Sequence, residues 1–319
     1  MVQIPGVEVH VFDTPSRKAK STFEKYKDQI TVHYGDLRNI QQVDEVCKNI
    51  DAVIHLAAII PPLADEKPDF AESVNVGGTK NLITSLEKNS PNAFFVYSSS
   101  VSVYGCRVDQ PEIKVEDQLQ ASPRDEYGKT KIEAENLVKN SNLSWTIFRL
   151  TAIMGVGNHK VTGLLFEMPL NTKVEICTPQ DTGRAFANAI EKRDLLNHNI
   201  FNLGGGAKCR IEYKDFLSKN FELFGLGKVN FPQYSFAEQN FHCGNYADGD
   251  QLESILNFRK LDLNDYFEMV EKSVPKAQKV MTSMVKYPVK KYLLSLSKPY
   301  KAFKSKNQQD LAYYFKNQS

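Results

Sequence analysis

Ala93-Phe94-Phe95-Val96-Tyr97-Ser98-Ser99-Ser100 is the stretch that decides the fold, together with Tyr127-Gly128-Lys129-Thr130-Lys131 further along the chain. The first stretch is an apolar run of strand length that ends in serines, and the second begins a helical pattern. Other runs rich in Val, Ile and Phe alternate with helical patterns in the same way. This alternation predicts an α/β fold built on a parallel sheet.

The second stretch also carries a chemical signal. Tyr127 and Lys131 are four residues apart and share one face of the predicted helix. A lysine ammonium beside a phenol stabilises the phenolate, which lowers the tyrosine pKa from its reference value of about 10. With Ser100, 27 positions before Tyr127, holding the same substrate oxygen, the pair suits hydride transfer between a carbinol carbon and a nicotinamide. Alone, a Tyr-x-x-x-Lys pair is more often a solvated helix face.

The order of segments resembles that of the extended short-chain dehydrogenase/reductases, the NAD-dependent epimerase/dehydratase group. The matching segments are residues 7–13, 34–38, 51–58, 75–79, 98–105, 127–131 and 148–155, within a resemblance that covers roughly residues 2–275. The resemblance implies a Rossmann-type doubly wound parallel sheet with a smaller C-terminal substrate lobe. It is specific to the superfamily and not to a substrate.

The resemblance also implies roles for the three chemical residues. Tyr127 would be the acid/base, and Lys131 would lower its pKa and bind the nicotinamide ribose. Ser100 would polarise the substrate oxygen, because its distance from Val103-Tyr104-Gly105 best matches the family.

Further residues are expected around an NAD cofactor. Asp13 would accept from both adenosine ribose hydroxyls, which favours NAD over NADP, although the following Arg17 and Lys18 leave NADP open. The other expected cofactor residues are Asp36 and Leu37 at the adenine, Leu56, Ala57 and Ala58 at the cofactor backbone, and Leu150 and Ile153 at the nicotinamide. For Asn75 two interpretations stay open, a cofactor contact and a helix N-cap.

The chain departs from the family pattern at its front. The glycine-rich phosphate loop should lie about 20 residues before the ribose-binding acid. Asp13 has 12 residues before it, with Gly6 as their only glycine, and the chain joins the pattern near Gln3-Ile4-Pro5-Gly6. The triplet Gly204-Gly205-Gly206 comes too late and is expected to form a turn before a helix at Glu212.

We therefore expect the first strand and most of the first helix to be missing. The first strand is central in a doubly wound sheet, and each buried backbone group without a partner costs on the order of 1–3 kcal/mol. Two explanations are open: Met1 is an internal start of a longer protein, or the chain is a degenerate relative. We favour the internal start because the later chemical residues are all present.

Length and composition indicate a globular chain with a core domain and a smaller lobe. The chain has 319 residues, with 41% hydrophobic and 24% charged residues. We expect an N-terminally truncated NAD(P)-binding domain over residues 1–155, a substrate lobe interleaved with the last Rossmann elements over 156–275, and a basic tail over 276–319.

The cysteines and histidines predict reduced thiols and no metal site. The five cysteines are scattered and form no CxxC pair, which predicts reduced thiols in a cytoplasmic protein. The six histidines show no metal-ligand spacing, and His55 is expected to be a satisfied core residue. No secretory signal is expected, and the longest apolar stretch, residues 52–63, is too short to span a bilayer.

The tail carries the charge asymmetry. Residues 276–319 hold ten lysines and one acid, a net charge of +9, so residues 1–275 total −7 against +2 for the chain. Val289, Tyr292, Leu293 and Leu296 fall on one helical face, between Pro288 and Pro299. Such a helix binds an anionic membrane surface, packs on the body of the protein or belongs to a solvated tail. Nucleic acid is not expected as a partner, because no recognition fold accompanies the charge.

The substrate is predicted as a small molecule of one of two classes. Val101-Ser102 stands where the family's 4,6-dehydratases hold Asp-Glu, so dehydration is not expected. Residues 174–180, just before Asp181, contain no arginine, and Arg184 lies one turn inside the helix, which weakens a nucleotide sugar as substrate. Pro61-Pro62-Leu63 and the segment 164–168 predict an apolar pocket suited to a lipophilic alcohol or ketone.

Three hypotheses follow. The first is an NAD-dependent oxidoreductase or epimerase of the extended family. The second is a sterol- or lipid-type dehydrogenase held at a membrane by its tail. The third is a cofactor-free binding protein on a degenerate Rossmann fold. A homodimer through the Tyr127 helix is expected from the family.

Overall fold

A computed structural model describes residues 1–2, 4–157 and 162–316. Gln3, where the family pattern is joined, lies outside the described residues, as do positions 317–319 of the predicted tail.

Eleven strands and sixteen α-helices are present in the described residues. The strands are β1 (His10–Asp13), β2 (Thr31–Tyr34), β3 (Ala52–His55), β4 (Phe94–Ser100), β5 (Glu112–Ile113), β6 (Ser144–Leu150), β7 (Ala152–Ile153), β8 (Lys173–Cys177), β9 (Asn199–Leu203), β10 (Arg210–Glu212) and β11 (Asn245–Tyr246). The helices are α1 (Arg17–Phe23), α2 (Ile40–Val46), α3 (Leu63–Glu66), α4 (Pro68–Glu72), α5 (Thr79–Asn89), α6 (Glu126–Lys139), α7 (Leu164–Glu167), α8 (Pro179–Glu191), α9 (Arg193–Leu196), α10 (Tyr213–Leu223), α11 (Asp250–Leu256), α12 (Leu263–Ser273), α13 (Lys276–Met284), α14 (Lys286–Leu296), α15 (Lys298–Ser305) and α16 (Gln308–Tyr314).

The main sheet is parallel and has helices on both faces. Its strand order is β3-β4-β6-β9. Along β4, Phe95 and Tyr97 join a core cluster with α2, α5 and α6, whereas Phe94 and Val96 join a second cluster with α8 and α11. Strands covered on both faces read as continuous apolar runs, as β4 does. The predicted doubly wound α/β fold is confirmed.

A second, two-stranded parallel sheet pairs β1 with β2. Phe12 of β1 and Val53 of β3 pack against the same core cluster, so the two sheets cover one helical layer. β1 and β3 lie in different sheets, and the family pattern places its first strand between them. Both explanations for that missing strand stay predictions.

The substrate lobe has its own core. A three-stranded sheet of order β10-β8-β7 packs with α10, α12 and α14 around Phe166 and Phe216. The glycine triplet after β9 forms the predicted turn, followed by β10 and then α10 with Glu212 as its N-cap residue. The predicted domain boundaries stay predictions.

The tail folds onto the lobe. Val289 and Leu296 pack against the lobe core around buried Leu293, whereas Tyr292 is 64% exposed. The face predicted for a membrane is therefore the face that packs on the body, and the packed alternative is correct for α14. Pro288 lies inside the first turn of α14 and does not precede it.

No described helix is long and apolar enough to cross a bilayer. All five cysteines are free.

Candidate active site

The carboxyl edge of the sheet brings together residues that are far apart in the chain. In the main sheet His55 ends β3, and Ser100 ends β4 opposite Leu150, which ends β6. Asp13 ends β1, which belongs to the separate two-stranded sheet. Parallel strands point their carboxyl ends to the same edge, and ligands of doubly wound sheets bind there.

Tyr127 enters this edge from the first turn of α6. The Asp125 carboxylate caps the helix by accepting a hydrogen bond from Gly128 N at 2.7 Å. The side chain of Lys131 follows one turn later on the same face, with its Nζ 5.7 Å from the centre of the Tyr127 ring.

Burial sets the protonation of Tyr127. Desolvation raises its pKa to about 12, although a hydrogen bond from the Ser100 hydroxyl acts in the opposite direction. This shift is opposite to the lowering that the sequence predicts from Lys131. The sequence gives the helical spacing of the two residues but not the degree of burial around the phenol.

Lys131 is the most deeply buried lysine of the site, at 2% exposure. Its Nζ donates to Ser98 O at 2.7 Å and lies 4.8 Å from the centre of the Tyr97 ring. Burial lowers its pKa to about 7, and the Glu135 carboxylate partly opposes the shift. The Lys131 ammonium thus binds the backbone near the end of β4.

Glu135 and Arg149 form a buried ion pair that the sequence analysis did not identify. Arg149 Nε and Nη2 donate to the two Glu135 oxygens at 2.9 and 2.8 Å, and Arg149 Nη1 donates to Tyr104 Oη at 2.8 Å. Glu135 lies one turn beyond Lys131 on α6 and Arg149 lies in β6, so the pair joins the helix to the sheet. The sequence did contain a signal for this pair. Glu135 lies four residues after Lys131, on the helix face that the site requires to be buried, and a buried acid needs a cationic partner.

The serines at the end of β4 have distinct roles. The Ser99 hydroxyl donates to Glu135 Oε1 at 2.5 Å. Ser100 is half-buried, and its Oγ accepts from Ser102 N at 3.2 Å on the side that faces Tyr127. Among the four nearby serines, the structure therefore brings Ser100 to the predicted position beside the tyrosine.

Asn75 connects the loop after β3 to α6 through its side-chain amide. It lies in a π-helical segment, Ser73–Gly78, so the N-cap interpretation is wrong. Its Oδ1 accepts from Ile59 N at 2.7 Å, and its Nδ2 donates to Ile59 O and to Thr130 Oγ1, both at 3.0 Å. The amide thereby fixes the loop after β3 to the helix that carries Tyr127. Its predicted direct cofactor contact stays a prediction.

The predicted adenosine-binding residues lie near the ends of β1 and β2. Asp13 Oδ1 accepts from Thr14 N at 2.6 Å. Asp36 pairs with Arg38 at 2.6 Å, and this guanidinium holds the pKa of Asp36 below its usual value. Leu37 packs against Gly78, where an added Cβ would approach Leu37 Cβ to 2.8 Å. Leu37 thus lies against Gly78, the residue before α5. The Asp36 carboxylate is paired with Arg38.

The predicted cofactor-backbone residues are open. Leu56 is 58% exposed, Ala57 is exposed, and Ala58 is half-buried, directly after the buried end of β3. Exposed apolar residues at a strand end are consistent with a groove along the sheet edge. Leu150 and Ile153 pack against the cluster on the α8 side of the sheet.

His55 is a satisfied core histidine, as predicted. Its Nε2 donates to Thr79 Oγ1 at 2.9 Å, since that hydroxyl donates to Asn75 O at 2.6 Å. Burial lowers the pKa of His55 to about 3, with Lys131 adding to the shift. A neutral imidazole thus supports the same loop that Asn75 fixes.

One substrate expectation changes, and the expectation that rests on Arg184 does not. Phe166 is fully buried in the lobe core and Leu165 and Met168 pack on it, so the segment 164–168 builds the core and does not line an open apolar pocket. Arg184 pairs with the buried Asp181 and donates to Phe258 O at 2.6 Å. Its guanidinium is therefore engaged within the lobe.

A parallel sheet covered on both faces, with a Tyr and a Lys of one helix beside the serine-rich end of β4, defines the fold of a short-chain dehydrogenase/reductase. Residues 1–153 match the model of the 3-beta hydroxysteroid dehydrogenase/isomerase family.

Curated relatives cover part of the chain. A sterol-4-alpha-carboxylate 3-dehydrogenase (decarboxylating) of Saccharomyces cerevisiae is 29% identical over 157 residues, 48% of this chain and 44% of that protein. A D-erythronate dehydrogenase of Haemophilus influenzae is 32% identical over 106 residues, 33% of each chain. The chain thus matches less than half of the length of these relatives.

Solved structures match more of the fold. A dTDP-glucose 4,6-dehydratase of Streptomyces venezuelae, solved with NAD, aligns with a TM-score of 0.68 at 18% identity over 84% of this chain and 87% of that one. A UDP-glucose 4-epimerase of Bifidobacterium longum, solved with NAD and UDP, aligns with a TM-score of 0.66 at 17% identity over 86% and 93%. Over residues 1–153 the chain is thus similar in sequence to that dehydrogenase family, and over 84–86% of its length it shares the fold of these two NAD-bound structures.

Proposed function

We propose that this chain is an NAD(P)-dependent oxidoreductase or epimerase that acts at a carbinol or carbonyl carbon. The observation that carries the proposal is the convergence of Ser100, Tyr127 and Lys131 at the carboxyl edge of the sheet. All three side chains come from elements fixed by the core, which is what precise proton transfer requires.

Each residue has a distinct task in this proposal. Carbonyl reduction requires a proton on the substrate oxygen, and a protonated Tyr127 is the donor that its raised pKa provides. The Ser100 hydroxyl holds the same oxygen. In the reverse direction Tyr127 receives the hydroxyl proton, and the positive charge of Lys131 stabilises the resulting phenolate. The nicotinamide, when bound, supplies or accepts the hydride.

The residues fit a nicotinamide cofactor at that end of the groove. Lys131 has three donors, and among the described residues its Nζ donates one hydrogen bond, to Ser98 O. The remaining donors are available for ribose hydroxyls, and exposed Leu56 and Ala57 leave an open strand end for the cofactor backbone. Asp13, at the end of β1, would accept from the adenosine ribose, and NAD bound to the fold relatives supports this cofactor.

A lipophilic alcohol or ketone is the favoured substrate class. A sugar nucleotide presents a diphosphate, which requires charge-assisted hydrogen bonds. Arg184, the arginine nearest to the position used by nucleotide-sugar enzymes, is engaged by Asp181 and Phe258 O. The relationship to a sterol dehydrogenase also favours a lipid-type alcohol.

Titration of this chain with NAD in a calorimeter tests the proposal. We expect saturable binding that Asp13→Ala weakens by about tenfold or more, because a charge-assisted bond to the ribose is lost. Asp28→Ala is the matched control, since Asp28 is an exposed acid before β2. A folded chain that binds neither NAD nor NADP contradicts the proposal and favours the cofactor-free binding protein.

A further inference from the structure

The second half of the chain carries a helix whose apolar face points away from the protein. In α13, Ala277, Val280, Met281 and Met284 fall at i, i+3, i+4 and i+7, which places them on one face. Val280 is 55%, Met281 65% and Met284 78% exposed, and no described residue of α13 is buried. Amphipathic helices of globular proteins ordinarily turn this face toward the core.

The exposed face continues into α14. Backbone hydrogen bonds from Val285 N to Met281 O at 3.2 Å and from Val289 N to Val285 O at 3.1 Å keep helical spacing across the junction. Tyr287 and Tyr292 follow on the solvent side and are 72% and 64% exposed. The opposite side of α14 is held by the lobe core through Leu293.

Packing against the body fixes this orientation of α13. Gly225, in the turn after α10, lies so close to Lys279 O that an added Cβ would approach it to 2.3 Å. Lys279 and Thr282 are half-buried, whereas their apolar neighbours are exposed. The outward direction of Val280, Met281 and Met284 is therefore a consequence of how the tail docks.

The same stretch is strongly basic. Residues 276–296 contain five lysines and no acid. Lys290 donates to Lys228 O and Asn230 Oδ1, and burial together with the nearby Lys286 lowers its pKa. An apolar stripe with aromatics at one end and lysines around it is the composition that binds an anionic lipid interface.

From these observations we propose that the exposed face of α13 and the start of α14, hereafter the tail face, docks on an anionic lipid surface. Val280, Met281 and Met284 would enter the acyl boundary, and Tyr287 and Tyr292 would lie at headgroup level. The exposed Lys276 and Lys291 would contact lipid phosphates. A second copy of the chain is the weaker occupant, because a two-fold interface would bring the exposed Lys276 and Lys291 of both copies into one contact. Nucleic acid offers no apolar surface for the methionines.

Vesicle co-sedimentation of the full chain tests the tail face. We expect binding to phosphatidylcholine vesicles that contain phosphatidylserine, much weaker binding to phosphatidylcholine alone, and loss of binding as salt is raised. The pair Met281→Ser and Met284→Ser should weaken binding about tenfold or more, since two exposed side chains can no longer enter the bilayer. Their exposure means that the change removes little internal packing.

A charge variant provides the second measurement. Lys276→Gln with Lys291→Gln should weaken binding by about 25-fold, at roughly fivefold for each lysine. The matched control, Lys25→Gln with Lys27→Gln, removes the same charge from the exposed turn after α1 and should leave binding nearly unchanged.

Three results would overturn the proposal. They are equal binding to vesicles with and without phosphatidylserine, no binding to either, and a self-associated chain that the methionine pair converts to monomer in sedimentation velocity. The last result would assign the tail face to a second copy. The NAD titration is independent of all three, so the failure of one proposal does not imply the failure of the other.

Discussion

At the scale of single residues, the protonation of the site is set by burial. Tyr127 and Lys131 are both shifted toward their neutral forms, with pKa values of about 12 and about 7. Desolvation disfavours charge on either group, whereas pairing would favour it. A bound cofactor or substrate that contacts Lys131 would change this balance.

Replacement of the tyrosine tests its proton-transfer role. Tyr127→Phe keeps the ring and removes the hydroxyl, so we expect turnover of a carbinol substrate to fall about 100- to 10,000-fold. NAD affinity by calorimetry should change little, because the substitution leaves Lys131 in place. Tyr26→Phe, at an exposed position, is the control and should retain activity. Comparable turnover by the Tyr127→Phe chain would exclude the tyrosine as acid/base.

His55 makes stability depend on pH in a defined direction. The folded pKa of about 3 lies below the usual value of 6.5, so the unfolded chain binds the proton first as pH falls. The contribution of His55 to stability is present above pH 6.5 and is lost as pH falls toward 3, by about 1.4 kcal/mol per unit.

Urea unfolding at pH 7 and pH 5 measures this effect. We expect His55→Phe to lose less stability between the two pH values than the unmodified chain. An equal loss in His55→Phe would show that the imidazole is not held neutral.

At the scale of elements, α6 is the part that assembles the site. Its first turn carries Tyr127, its second carries Lys131, and its third carries Glu135, which is bound to Arg149 of β6. Thr130 on the adjacent face accepts from Asn75. The helix is thus fixed at three places by polar contacts inside an otherwise apolar interface.

Removal of one partner of the Glu135–Arg149 pair should destabilise the fold strongly, whereas replacement of both partners by apolar residues should destabilise it much less. Glu135→Gln leaves a buried guanidinium without its anion, so we expect the free energy of unfolding to fall by about 3–5 kcal/mol. The double change Glu135→Leu and Arg149→Met should restore much of that loss. The control Lys129→Met breaks the exposed pair with Glu126 and should cost less than about 1 kcal/mol. A small effect of Glu135→Gln in urea unfolding would contradict this account.

At the scale of the whole molecule, the two parallel sheets differ in how deeply their strands are buried. The strand β4 is buried almost throughout, whereas β1 and β2 contain no buried residue. Partial burial and a two-stranded ladder give the β1–β2 unit few contacts to break on opening.

Hydrogen exchange should reveal this difference directly. We expect amides of β4 and β6 to exchange slowest and those of β1 and β2 to exchange much faster in the free chain. Saturation with NAD should slow exchange in β1, because Asp13 at its end would then bind the ribose. Equal protection of the two sheets in the free chain would show that β1–β2 unfolds only with the core.

The sequence alone determined the α/β fold class and identified the candidate chemical residues. Apolar strand runs, the serines that end β4 and the spacing of Tyr127 and Lys131 are local patterns, and local patterns can be read from one chain. The alternation of these strand runs with helical patterns also predicted the parallel sheet. The doubly wound arrangement followed from the family resemblance.

The tertiary structure alone decided what surrounds those residues. Burial is a sum over non-local contacts, so the raised pKa of Tyr127 could not be derived from its helical spacing to Lys131. The partners of Asn75 and Glu135 lie 55 and 14 residues away in Thr130 and Arg149, and only the packed fold brings them together. The tail shows the same limit, because periodicity finds an apolar face on a helix but docking decides whether that face meets the core or the solvent.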